Sequence, residues 1–105
     1  MNQEEMSQAF GKLNQLVEVA GEELSHEFMP RAENCYKKPT MDQFDTCVKG
    51  LKTIHETSIR EFSLRGQFVA NTFTVCLKGG DNMDVCLGDA KKSLSVVVRD
   101  LKALF

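Results

Sequence analysis

The chain has 105 residues, 42% of them hydrophobic and 27% charged, with a formal net charge of -2. That is the length of a single domain, with apolar content enough for a core and no basic excess to mark a polyanion-binding face. No apolar run approaches the roughly 20 residues of a membrane span, and the opening MNQEEMSQAF is acidic without an apolar stretch, so neither a secretory signal nor an Arg-rich presequence is expected.

Helical spacing dominates. Met6, Phe10, Leu13, Val17, Ala20, Leu24 and Phe28 advance in steps of three and four, which places them on one stripe of a first helix. Asn2 followed three residues later by Glu5 is a capping pair for its start. Pro30, lacking an N–H and crowding the preceding turn, is expected to kink or end it, with Arg31–Tyr36 resuming as a short helical piece. Lys37–Thr40 reads as a corner, and Thr40 with Gln43 is a second capping pair.

A second, longer stripe runs through Phe44, Val48, Leu51, His55, Ile59, Phe62, Val69, Phe73 and Leu77. Gly66 interrupts it, at a cost of about 1 kcal/mol against Ala unless it serves close packing. Gly79–Gly80 should end this helix, since glycine takes the left-handed backbone of a C-cap without penalty. Asp81 or Asn82 then caps a third helix, whose stripe is Met83, Leu87, Ala90, Leu94, Val97, Val98, Leu101 and Leu104. The Val96–Val98 trio has strand propensity but no second strand-like run to pair with, so it stays helical.

Short corners make neighbouring helices antiparallel. The predicted fold is therefore all-α: residues 1–105 form a single up-down-up three-helix bundle, its first helix kinked at Pro30. Helix one carries Glu4, Glu5, Glu18, Glu22, Glu23 and Glu27 against Lys12, whereas helix two and its corner carry Lys37, Lys38, Lys49, Lys52, Arg60, Arg65 and Lys78. Either these opposite signs face each other across the first hairpin or both are simply solvated faces.

Cys35 and Cys47 flank the first corner, and Cys76 and Cys86 the second. A long middle helix, rising about 1.5 Å per residue, separates the two corners by tens of ångströms. Four cysteines permit three connectivities; Cys35 with Cys86, or Cys47 with Cys76, would then be out of reach, and the predicted pairs are Cys35–Cys47 and Cys76–Cys86, each stapling one corner. A disulfide wants Cα atoms about 4.4–6.8 Å apart, so both corners must pack tightly. The alternatives are four reduced, buried cysteines, or zinc. Zinc is disfavoured because structural sites usually bring cysteines two to four residues apart, and His26 and His55 lie far along their helices. Oxidised cysteines without a secretory signal point to the mitochondrial intermembrane space, peripheral to the inner membrane.

The segments CVKGL from Cys47, CLKGG from Cys76 and MDVCLGDAKKSLSVVVRDLKALF from Met83 to Phe105 resemble the "family with sequence similarity one-three-six" proteins. Those are small helical mitochondrial proteins with CX3C motifs, more distantly like the small Tim chaperones and the twin-CX9C proteins. Leu51, Gly80 and Ala90 stand where the second cysteine of each such motif would fall, so this chain keeps one cysteine per motif. The resemblance implies a mitochondrial location and a helical hairpin architecture.

No phosphate-binding glycine loop, zinc-protease helix or nucleophile elbow occurs, and a catalytic site is not expected. GGDNMD lacks the acidic spacing of a calcium loop and suits a helix cap. Basic patches and stacking aromatics for nucleic acid are missing as well. No cofactor, metal or small-molecule substrate is anticipated. What remains is a non-enzymatic accessory subunit of a larger mitochondrial inner-membrane assembly, a respiratory or ATP-synthase complex, docking on protein partners through Leu64, Phe68, Val96, Leu104 and Phe105. The alternative is a chaperone of the small Tim kind for hydrophobic clients, with Met1, Met6, Met29, Met41 and Met83 as adaptable contacts; a redox or metal-handling role comes third, since it needs an exposed low-pKa thiol and no CxxC motif is present.

Overall fold

The computed structural model describes residues 2–105, which form three helices: α1 (Gln3–Tyr36), α2 (Met41–Lys78) and α3 (Met83–Lys102). They run up, down and up, and each packs against the other two. Among the described residues there is no strand, and Val96–Val98 lie within α3.

Each helix begins where the sequence supplies a cap. The Asn2 side chain accepts the Glu5 N–H at 2.8 Å, Thr40 Oγ1 accepts that of Gln43 at 3.2 Å, and Asn82 Oδ1 accepts that of Asp84 at 2.7 Å. Each bond satisfies an N–H that the first helical turn leaves unpaired. The end of α2 is a Schellman turn. Gly80 adopts φ 87°, its N–H donates to the Leu77 carbonyl, and the Asp81 N–H donates to that of Cys76. Only glycine enters that left-handed region without a steric penalty.

Pro30 does not end α1, and residues 31–36 are its last turns rather than a separate piece. The proline deprives the His26 carbonyl of its N–H partner. Both residues are exposed, so water can take the donor's place.

The core is assembled from Ala9, Leu13, Ala20 and Leu24 of α1, Val69, Phe73 and Leu77 of α2, and Cys86, Ala90, Leu94, Val97, Val98 and Leu101 of α3. Phe73, 2% exposed, meets the Phe10 ring edge-on at 5.7 Å between centroids. Edge-to-face pairs of this kind add about 0.5–1.5 kcal/mol beyond their area burial.

This core fills only part of the molecule. At about 1.5 Å per residue, α3 with its 20 residues is roughly half the length of α2 with its 38. The end of α3 is marked by Phe105, whose ring centroid lies 5.9 Å from the Arg31 guanidinium carbon. Beyond it, α1 and α2 continue as a two-helix arm up to the first corner. The molecule is accordingly a rod of 60 × 18 × 16 Å.

The arm corrects the expected stripe of α2. Val48 and Ile59 are exposed, and Ser58 is buried at 3% in their place. The face turned towards α1 reads Cys47, Leu51, Ile54, Ser58 and Phe62, all buried or half-buried. Cys47 sets this phase: bonded to Cys35, it must point at α1. Its neighbour Val48 is then rotated away by about 100°. Leu104, placed on the α3 stripe by spacing, is also exposed, because α3 ends at Lys102.

Candidate functional site

Both corners are covalently closed. Cys35 and Cys47 are joined by an S–S bond of 2.04 Å with Cα atoms 5.6 Å apart, and Cys76 and Cys86 by one of 2.00 Å with Cα atoms 5.9 Å apart. No free cysteine remains. In each bridge one partner is buried, Cys35 or Cys86, and the other, Cys47 or Cys76, is half-buried. The staples close loops of 12 and 10 residues, each stabilising the fold by about 2–3 kcal/mol on the chain-entropy model.

The five residues expected to meet a partner are spread over the outer faces of α2 and α3 and the end of α3, part-way along the rod. Leu64 and Phe68, one turn apart on the outer face of α2, are 56% and 72% exposed. Val75, which sequence spacing did not single out, extends the same stripe and is 70% exposed. Together the three cover about 16 Å of the helix axis. Its signal was present in the sequence, since Leu64, Phe68 and Val75 all lie on the side of α2 opposite Val69 and Phe73. Val96 is exposed on the outer face of α3, with Val85 sharing that face. Leu104 is exposed at the end of α3, whereas Phe105 is half-buried against Arg31. Thus only Leu64 and Phe68 are brought together.

The charge pattern resolves in favour of solvated faces. The ion pairs between helices are Lys102–Glu23 at 2.9 Å, joining α3 to α1, and Arg65–Asp100 at 3.4 Å, joining α3 to α2. Arg65 also pairs with Glu61, and Arg99 with Asp100. Among the described residues no glutamate of α1 pairs with a cation of α2. The Glu23 partner holds the Lys102 ammonium above the ordinary lysine value of 10.5, chiefly through its hydrogen bond.

Grooves rather than enclosed cavities run between the helices. One of about 380 Å³ separates α1 from α2 and is lined by Leu24, His55, Ser58, Ile59 and Phe62. His55 is half-buried, its ring tilted over that of Phe28 at 4.4 Å. Among the described residues, no buried side-chain N or O lacks a hydrogen-bond partner. Among the described residues, no helix is long and apolar enough to cross a membrane.

Of the methionines, Met29 and Met41 are exposed and stand on the two-helix arm, whereas Met6 and Met83 pack against the core. Met1 lies outside the described residues. Compared with models of known protein families, with curated proteins and with solved structures, the chain finds no match.

Proposed function

We propose that this chain is a non-enzymatic, disulfide-stapled docking module, an accessory subunit that binds a protein partner in a larger mitochondrial inner-membrane assembly. The uncovered stripe of Leu64, Phe68 and Val75 carries the reading. Single exposed apolar residues are ordinary on any protein, but a stripe on one helix face is the form an interaction surface takes. Two staples support the same role, because a rigid surface loses less conformational freedom on docking. An intermembrane-space location is supported by the paired cysteines and by the resemblance in the Cys47, Cys76 and Met83–Phe105 segments.

The test is a mild-detergent pull-down of the tagged chain from mitochondria. The expected result is capture of inner-membrane subunits at fixed stoichiometry, and loss of that capture when Leu64→Asp and Phe68→Asp are combined. Each substitution falls on an exposed site, so the change in thermal midpoint should stay small. Unchanged capture by the double variant would defeat the docking face.

A small-Tim-like carrier of hydrophobic clients is the second reading, favoured by the apolar groove at Leu24, Ile59 and Phe62 and by exposed Met29 and Met41. That reading predicts a soluble oligomer that suppresses client aggregation, with Ile59→Asp abolishing the suppression and leaving the stoichiometric capture intact.

A further inference from the structure

The two corners are not equivalent. At the second, Cys76 stands near the end of α2, Asp81 follows the Gly80 turn, and Cys86 lies one turn inside α3. One ligand atom from each of these three side chains lies within 4.8 Å of the others. Asp81 Oδ2 is 3.6 Å from Cys76 Sγ. That sulfur is bonded to Cys86 and carries no proton, so a carboxylate faces sulfur lone pairs with no hydrogen bond between them. Among the described residues no cationic side chain pairs with Asp81, and no third His, Cys, Asp or Glu joins Cys35 and Cys47 in a similar cluster.

We propose that reduction of the Cys76–Cys86 disulfide turns this corner into a binding site for a zinc-class divalent cation, held by the thiolates of Cys76 and Cys86 and the carboxylate of Asp81. The Cys76–Asp81 spacing suits it, and reduction frees the two sulfurs to move to the roughly 3.8 Å separation of a tetrahedral site. Tetrahedral zinc, with Zn–S of about 2.3 Å and Zn–O of about 2.1 Å, separates a sulfur ligand from an oxygen ligand by about 3.6 Å, the spacing already present between Cys76 and Asp81. A water completes the fourth position, as in three-ligand zinc sites generally. The two cysteines are ten positions apart in sequence, which argued against zinc, but the Schellman turn folds the two helix ends together and removes that objection.

The chemistry balances with a dithiol as reductant. Its thiolate attacks Cys76, the more exposed sulfur, and Cys86 leaves as thiolate, favoured by its place near the N-terminus of α3. The second thiol of the reductant then displaces Cys76. Two electrons have passed to the protein's sulfurs, the reductant has become a disulfide, and its two protons remain on the cysteine thiols. The cation displaces both protons as it binds. This inference is independent of the docking role proposed above.

The experiment uses the full chain carrying Cys35→Ser and Cys47→Ser, reduced, freed of reductant without air, and titrated with Co2+ and then Zn2+. One Co2+ per chain is expected, with a thiolate-to-cobalt charge-transfer absorption that Zn2+ abolishes. Asp81→Asn, an exposed and conservative change, should weaken binding at least about tenfold. The oxidised chain and the reduced Cys76→Ser, Cys86→Ser chain should show no such absorption. In the reduced chain with all four cysteines, Co2+ should saturate at one equivalent, a measurement that stands even if the double variants fold poorly. Absence of the absorption, equal affinity at the two corners, saturation at two equivalents, or indifference to Asp81→Asn would each overturn the proposal.

Discussion

Gly66 and Lys102 each act on stability from outside the buried core. Nothing lies within 4 Å of the position a Cβ would take at Gly66, so the residue serves no close helix contact. It leaves the middle of α2 with a flexible backbone and no compensating packing. Gly66→Ala should therefore raise the unfolding free energy by about 1 kcal/mol, visible as a higher urea midpoint at unchanged slope. Lys102 behaves differently. Its bond to Glu23, and more weakly the charges of Glu23 and Glu27, hold its pKa above 10.5 against an opposing contribution from burial. A group whose pKa is raised on folding binds its proton more tightly in the native state. Its contribution is complete below pH 10.5, the unfolded value, and is lost as the pH rises through the higher folded value. Lys102→Met should remove that alkaline decline, and urea midpoints measured on either side of pH 10.5 will show it. Because the pair is partly solvated, added salt should shrink the difference.

Between elements, the unequal helix lengths give the two disulfides different work. The Cys76–Cys86 bridge lies at the three-helix end, where Leu77 and Cys86 are themselves core residues. The Cys35–Cys47 bridge closes an arm in which only α1 and α2 meet. Cys35 is buried there but stands apart from the main core. Regions with fewer buried contacts open at lower free energy than the body of a domain. Hydrogen exchange on a Cys35→Ser, Cys47→Ser chain should show protection lost across residues 29–54 while residues 69–98 keep theirs. Replacing Cys76 and Cys86 by serine should instead lower protection throughout, with a global loss of about 2–3 kcal/mol. Equal and global loss from both variants would mean that the rod unfolds as one unit. The helices, their caps and both bridges were legible in the sequence because each depends on neighbours within a few turns. Asn2, Thr40 and the Gly79–Gly80 end all act locally. The phase of α2 along the arm was misread from Val48 and Ile59, although pairing Cys47 with Cys35 already dictated which side of that helix must face α1.

For the whole molecule, the elongated shape follows from α2, whose 38 residues span nearly the full length of the rod at about 1.5 Å each. The radius of gyration is 17.7 Å, against about 13 Å for a compact domain of this size. Small-angle scattering from the oxidised chain should give an elongated particle near the larger value, whereas a collapsed bundle would scatter at the smaller one. With only three helices, each one keeps an outer face, and Leu64, Phe68 and Val75 lie on that of α2, opposite core residues Val69 and Phe73, so they have no intramolecular cover.

Sequence by itself determined the three helices, the residues that cap them and the pairing of the four cysteines, because backbone hydrogen bonding and short loop closure are decided among residues close along the chain. Only the tertiary structure decided that α3 covers just one part of the other two, that Ser58 replaces Ile59 inside the arm, and that Asp81 comes to rest against Cys76. Those outcomes depend on where helix surfaces meet in space, and rotation about a helix axis by a single residue, about 100°, is enough to exchange an inward side chain for an outward one.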